Sequence, residues 1–482
     1  MTSAAWTWVL ALMLVSGTMI AGGQTMEREP VTPNADRIRP WTEDARYWQY
    51  RGAPVLLVGG SREDNLFQIP DLQEQLDLLA SVGGNQIRNT MSDRDEGDAY
   101  PYAPVADGRY DLDQWNEEYW RRFGEMLRLT HERDIFVQIE VWDRFDLSDT
   151  RGMGNWQRHP YRPANNVNYT EEQSGLGDAY PDHPSADKHP FYHTVPGMEQ
   201  YRPQYDVIRA YQERFVARML EHSVPYGNVL YCMNNETSTD PRWGQYWMAF
   251  IKQHAAAAGL EVCVTDMFDD GWKPEQSGKI RLELDHPELY DFIDISQVNS
   301  RNFGEDHWRR LRWVVEQAAA HPRPVTHTKI YSAGETSFGS GTPQDGIERF
   351  WRNLLGGSAS SRFHRPNSGI GINEVAQACI GSVRKVEELV RFWEIEAHME
   401  LLGERAENEA YLAANPGTAY VLFLCKGGAV TLDLTGLAGA FAGRWIDVST
   451  GEWGAQFELT GGAPCPITAP SEGTWVAVVT RG

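Results

Sequence analysis

Asn235 and Glu236 are the residues of this chain best placed to do chemistry. They close the run from Gly227 to Glu236, an apolar strand pattern that ends in an amide and a carboxyl group. A carboxyl group at such a tip can protonate a leaving glycosidic oxygen, provided its pKa is raised and a second carboxylate lies across the scissile bond. A gap of about 5–5.5 Å between the two suits a retaining reaction, and about 6.5–9.5 Å an inverting one. The expected partner is Glu335, in the segment Ser332-Ala-Gly-Glu-Thr336, with Glu374, Asp266, Glu140 and Asp143 as rivals. Asn235-Glu-Thr237 also matches a glycosylation sequon, a reading that competes poorly directly after a buried strand.

Other polar groups fall at the ends of apolar runs. Arg88 and Asn89 end one such run, and an Arg there can orient a carboxylate through its fork of donors. His327, Lys329 and Tyr331 belong to another run, and Arg362 and His364 to the next. Together with Asp143 and Asn235 these residues are expected to bind substrate. Lys329, His327, Arg362 and His364 could form a cationic patch for a uronic acid or a sulfate, although side chains alternate and only some can face inward. Alternatively, Lys329 holds a catalytic carboxylate. Asp64, Asn65, Asp93, Arg94 and Asp95 crowd two neighbouring loops, where they either bind hydroxyls or are solvated. His183, His189 and His193 lie close together but lack any zinc motif, so no metal is expected. No Gly-x-Gly-x-x-Gly loop follows the first run, so no nucleotide cofactor is expected either.

Eight apolar runs must position these groups: 53–59, 86–89, 135–142, 229–233, 261–266, 292–297, 324–331 and 359–364. Helical stripes alternate with them, as in Trp115, Tyr119, Phe123, Met126 and Leu127. Further stripes cover 71–82, 205–222, 243–258, 307–320 and 347–355, and a last helical pattern covers 374–402. The alternation predicts an α/β fold, a (β/α)8 TIM barrel over 51–403, with an open doubly wound sheet as the alternative. The connection 143–205 is rich in aromatics and is expected to wall the cleft. From 409 to 482 short strands separated by Gly and Pro predict a small all-β sandwich.

The 482 residues suffice for both units, and the formal net charge of −23 argues against nucleic acid as a partner. Residues 1–23 resemble a signal peptide whose apolar core is Trp6–Ala21, and 24–50 read as a lead-in. A secreted or periplasmic protein without stable membrane insertion is therefore expected; the oligomeric state is not legible. Of the five cysteines, Cys232, Cys263 and Cys379 read as buried thiols, while Cys425 and Cys465 could pair.

Several short motifs carry a resemblance: Val58-Gly-Gly-Ser61 with Asp64-Asn-Leu-Phe67, Gly84-Asn-Gln-Ile-Arg88, Tyr110-Asp-Leu-Asp-Gln-Trp115 and Asn235-Glu236. With them the chain resembles clan A glycoside hydrolases, most closely the apiosidase-like group of bacterial (β/α)8 enzymes. The segment 443–453 and the ending Gly473-Thr-Trp-Val-Ala477 resemble the small sandwich of that group, labelled collagen-binding. The resemblance implies a retaining glycosidase acting on a poly- or oligosaccharide, with Glu236 as acid/base. It also implies a Glu nucleophile at the end of strand seven, where this sequence has Lys329 instead. The alternative is a non-catalytic carbohydrate-binding or matrix-adhesion protein built on a degenerate barrel.

Overall fold

The computed structural model describes residues 31–148, 154–180, 188–334 and 338–482. Its first unit is a closed barrel. The strands are β1 (Leu57–Gly60), β2 (Gln86–Thr90), β3 (Phe136–Asp143), β4 (Val229–Asn235), β5 (Val264–Thr265), β6 (Ile293–Asp294), β7 (Val325–Thr326) and β8 (Ser360–Phe363). Parallel pairing runs β5-β4-β3-β2-β1-β8, and β6 pairs with β7. Two seams complete the ring. Asp291 N donates to Val264 O at 2.9 Å between β5 and β6, and Ala359 N donates to Val325 O at 2.8 Å between β7 and β8. The open-sheet alternative is thereby excluded.

A helix follows each strand: α1 (Leu72–Ser81), α2 (Glu117–Glu132), α3 (Asp206–Ser223), α4 (Arg242–Ala257), α5 (Gly278–Asp285), α6 (Gly304–Ala318), α7 (Pro343–Leu355) and α8 (Glu374–Glu387). Their apolar stripes close on the strands, as when Trp243, Trp247 and Ile251 of α4 are all fully buried. The sequence reading missed α5, which is short and only weakly striped. It also overran α8. That helix ends at Glu387 rather than near Leu402, and the chain then turns into strands β9 (Glu396–Ala397) and β10 (Leu402–Gly403).

Beyond the barrel the sandwich adds β11 (Ala410–Asn415), β12 (Ala419–Leu424), β13 (Ala429–Asp433), β14 (Ala440–Asp447), β15 (Glu452–Thr460), β16 (Pro464–Thr468) and β17 (Trp475–Arg481). One sheet has the order β9-β11-β12-β17-β14-β15 and the other β10-β13-β16. The alternation of side chains sends one face of the larger sheet to each side. Leu412, Leu422, Ala477 and Val479 meet the small sheet, while Tyr411, Phe423, Val476 and Val478 join the barrel core. Trp351 of α7 stacks on Phe423 at 5.8 Å, and Trp308 of α6 packs on Tyr411 at 5.0 Å. The sandwich is thus welded to the α6–α8 side of the barrel by aromatic contacts, each worth about 0.5–1.5 kcal/mol beyond its area.

All five cysteines are free thiols, so Cys425 and Cys465 do not pair. Cys425 is buried, whereas the Cys465 thiol points back to the backbone carbonyls of Thr460 and Ala463. Among the described residues no helix is long and apolar enough to cross a membrane. The stretch 1–23 lies outside the described residues.

Candidate active site

Strand β4 is buried along its whole length, and its last residues alternate in direction. Asn234 faces the helix layer, where it accepts from the Trp243 indole at 3.0 Å and donates to Asp266 at 2.8 Å. Asn235 therefore faces the barrel axis, and Glu236 follows with φ at +57°. A left-handed backbone is uncommon for a residue with a Cβ and persists only where its surroundings hold it. Here the holding contacts come from its own carboxylate.

Lys329 Nζ donates to Glu236 Oε1 at 2.6 Å and to Asn235 Oδ1 at 2.7 Å. The Tyr331 hydroxyl donates to the same Oε1. Arg144, just past β3, reaches Oε2 at 3.5 Å and pairs with Asp269 through its other nitrogen. Burial alone would push the Glu236 carboxyl up. The charges of Lys329 and Arg144, with the bonds from Lys329 and Tyr331, outweigh that and hold it well below the usual carboxylate range. The expectation of a raised pKa is therefore reversed, and Glu236 is ionised. Burial and the facing Glu236 carboxylate together push the Tyr331 hydroxyl well above its usual range, so it keeps its proton.

These groups line a cavity of about 680 Å³ at the C-terminal mouth of the barrel, a size usual for small-ligand sites. Of the residues expected at the site, Arg88, Asn235, Glu236, Lys329, Tyr331 and His364 are on its wall. Three others are not. Asn89 is fully buried and uses its side chain to accept from Phe67 N at 3.1 Å. Asp143 caps the next turn, accepting from Phe145 N at 2.9 Å, and pairs with Arg94. Arg362 donates to Thr328 O and Ser61 Oγ beneath the cavity floor, fully buried. His327 also turns away, bonding Ser358 and Asn299 at 2.9 Å in the helix layer.

Glu335 lies outside the described residues, as does His183. The rival carboxylates are elsewhere. Glu140 is locked to Arg88 beneath the wall at 2.5 Å, Asp266 sits behind β4, and Glu374 is exposed at the start of α8. Among the described residues, the carboxylates lining the cavity besides Glu236 are Asp64, Asp95 and Asp269. Asp64 is fixed by Arg88, by Arg365 at 3.0 Å and by Arg94 at 3.2 Å. Burial would raise its pKa, but Arg88 and Arg365, helped by His364 and Arg94, bring it well below the ordinary value.

Sequence reasoning missed Arg144, Asp269, Trp272, Arg301 and Arg365, all on the wall. The signal available was position. Arg144 and Arg365 each follow a strand tip by one or two residues, and Asp269 and Trp272 follow β5 in a short polar-aromatic segment. The loop after β3 reaches the cavity through Arg144, Phe145, Asn155 and Arg158, while its aromatics Trp156, Tyr161, Phe191 and Tyr192 are buried behind them rather than walling the cleft, with His189 edge-on against Trp156 at 4.6 Å.

No protein-family model and no curated protein sequence matches the chain. Solved structures do match in fold. A glycoside hydrolase family 5 protein from Bacteroides vulgatus superposes with a TM-score of 0.58 at 11% identity, covering 92% of this chain and 94% of that one. A second structure, described as a glycoside hydrolase, gives 0.59 at 12% identity, covering 94% and 99%. The fold is thus that of TIM-barrel glycoside hydrolases carrying a C-terminal β-rich unit.

Proposed function

We propose that this chain is a glycoside hydrolase acting on a poly- or oligosaccharide, with Glu236 as its catalytic carboxylate. The observation that supports it most is the Asn235-Glu236 tip of β4, aimed into a 680 Å³ cavity at the barrel mouth. The side chain of Glu236 keeps 15% of its surface open there, although it is gripped by three donors. An ionised carboxylate in that place is ready to attack an anomeric carbon, to activate water or to stabilise positive charge at the ring. It can protonate a leaving oxygen, as the acid/base role requires, only once Lys329 and Arg144 are drawn away from it. Burial alone then favours the protonated form. Arg88 orients the wall beneath it, and His364, packed edge-on to Tyr331 at 4.9 Å, shapes the opposite side.

The likeness to clan A enzymes, and to the apiosidase-like group in particular, supports retaining chemistry. It also supports a sandwich of the type labelled collagen-binding. The reading of 1–23 as a signal supports a secreted or periplasmic protein. A second reading, a carbohydrate-binding barrel without catalysis, is favoured by one residue. Lys329 occupies the place where a strand-seven nucleophile belongs, and its ammonium neutralises Glu236.

Hydrolysis of a panel of aryl glycosides and oligosaccharides separates the two. Under the first reading Glu236→Gln keeps the fold, with a lowered denaturation midpoint because Lys329 loses its partner charge, and loses about 10²–10⁴-fold in turnover. A wild-type chain that binds sugars but cleaves none, or a Glu236→Gln variant with undiminished turnover, would remove the hydrolase assignment.

A further inference from the structure

The cavity wall carries further residues that the chemistry at Glu236 does not use. Arg301 ends the short helix Val298–Arg301 after β6, is exposed, and lines the cavity. Nearly all the other cations of the wall are committed to carboxylates. Arg88, Arg94 and Arg365 share Asp64, Arg144 bridges Glu236 and Asp269, and Lys329 holds Glu236. Arg301 makes no ion pair and no side-chain hydrogen bond with any described residue.

Two other residues of the wall are exposed aromatics. Trp272 follows β5, Arg301 follows β6 and Phe338 follows β7, so the three line the cavity from consecutive connections of the barrel. Both rings are open to solvent, Trp272 at 37% and Phe338 at 46%, in a protein that buries most of its large aromatics. One face of Trp272 is covered by Lys273 Nζ at 4.9 Å, which adds positive charge beside it. The backbone at Trp272 is tied to this segment, because Asn302, next to Arg301, donates to Trp272 O at 2.7 Å.

Aromatic faces accept the apolar face of a sugar ring, and an unpaired guanidinium accepts an anionic group in two parallel bonds. We propose that Arg301, Trp272 and Phe338 form a subsite for a sugar ring bearing a carboxylate or a sulfate. The proposal rests on the carbohydrate reading of the cavity and names the substrate class: an acidic oligosaccharide. The overall charge of −23 repels such a ligand from the rest of the surface, so recognition must be local.

The test measures binding by calorimetry to the full chain carrying Glu236→Gln and Lys329→Met, so that no ligand is consumed and no ammonium is freed in the cavity. The probes are trigalacturonate, its neutral methyl ester, a galactose-6-sulfate disaccharide and the unsulfated disaccharide. The expected result is that one charged probe binds at least about tenfold more tightly than its neutral counterpart. The difference should shrink with added salt. Arg301→Gln should abolish it and leave the neutral probe unchanged, while Trp272→Ala weakens both. Which charged probe gains distinguishes carboxylate from sulfate recognition. Arg301 is exposed, so its variant keeps the wild-type melting temperature and a lost preference is not lost folding. Equal binding of charged and neutral probes, no binding of any, or a preference that survives Arg301→Gln would overturn the proposal. Hydrolysis of all four probes, charged and neutral, by the wild type is scored separately. Cleavage without acid preference removes this inference alone, and acid preference without cleavage removes the hydrolase reading alone.

Discussion

Carboxylates are buried at two places in the barrel mouth, and they have opposite fates. At Glu236, burial is met by Lys329 and Arg144, and the carboxyl is held far below its ordinary value. At Asp93 and Asp146, burial is met mainly by other acids. Burial and then Asp98 push Asp93 well up, while burial and then Asp93 push Asp146 well up. Arg94 is the cation that acts most on the second cluster, but it spends its guanidinium on Asp64 and Asp143. Asp98, at the edge of this cluster, is itself pushed up to about 7 by burial. Desolvation acts in the same direction at both places, so the cation beside the carboxylate decides which is charged. One cluster becomes an ionic site open to the cavity, and the other a protonated seam between β3 and the loop after β2.

The widest departure comes from removing the cation that makes the difference. Lys329→Met leaves Glu236 with Arg144 as its one facing cation and Tyr331 as its one neutral donor among the described residues. It is expected to cost about 3–5 kcal/mol, read as a drop in denaturation midpoint, because breaking a buried pair strands its partner. Adding Glu236→Gln to Lys329→Met should recover much of that loss. An unchanged midpoint in the single variant would mean that the pair contributes nothing. The pH dependence of stability should split along the same line. The folded pKa of Glu236 is lowered, so its contribution is present above 4.5 and lost as pH falls through the folded value. Asp93 and Asp146 are raised, so their contribution is whole below 3.8 and lost as pH climbs towards their folded values.

Asp146→Asn should therefore gain in melting temperature over the wild type as pH rises from acid to alkaline. A gain independent of pH would contradict a protonated seam. The smallest effect belongs to Ser92→Ala, which removes the hydroxyl that donates to Asp146. It should cost about 1 kcal/mol in a urea titration, the net value of one buried hydrogen bond.

The barrel was legible because each strand and most helices carry their own periodicity, and all eight apolar runs became strands. Trp243, Trp247 and Ile251 of α4 show why, since their spacing alone brings them to one buried face. The β11–β17 strands were legible for the same reason. The end of α8 was not, because the apolar spacing through 388–402 serves turns and two short strands that pack on the sandwich. The tip of β4 announced itself by polar residues ending an apolar run. Where its neighbours point did not follow from alternation. β7 is regular only at Val325–Thr326, and beyond it His327 and Lys329 part company, one into the helix layer and one into the cavity. The charge state of Glu236 was equally hidden, since it depends on Lys329 and Arg144, which are 93 and 92 positions away in sequence.

The most direct test of the central claim is the ionisation of Glu236 itself, followed by infrared difference spectroscopy of the wild type against Glu236→Gln. The account predicts a carboxylate band that persists from about pH 8 down to about pH 4, below the ordinary Glu midpoint. It also predicts a carboxyl band that emerges at higher pH when Lys329 is replaced by Met. A Glu236 carboxyl that takes up its proton between about pH 5 and 8 in the wild type would contradict it. Lys329 would then not be the group that sets its charge.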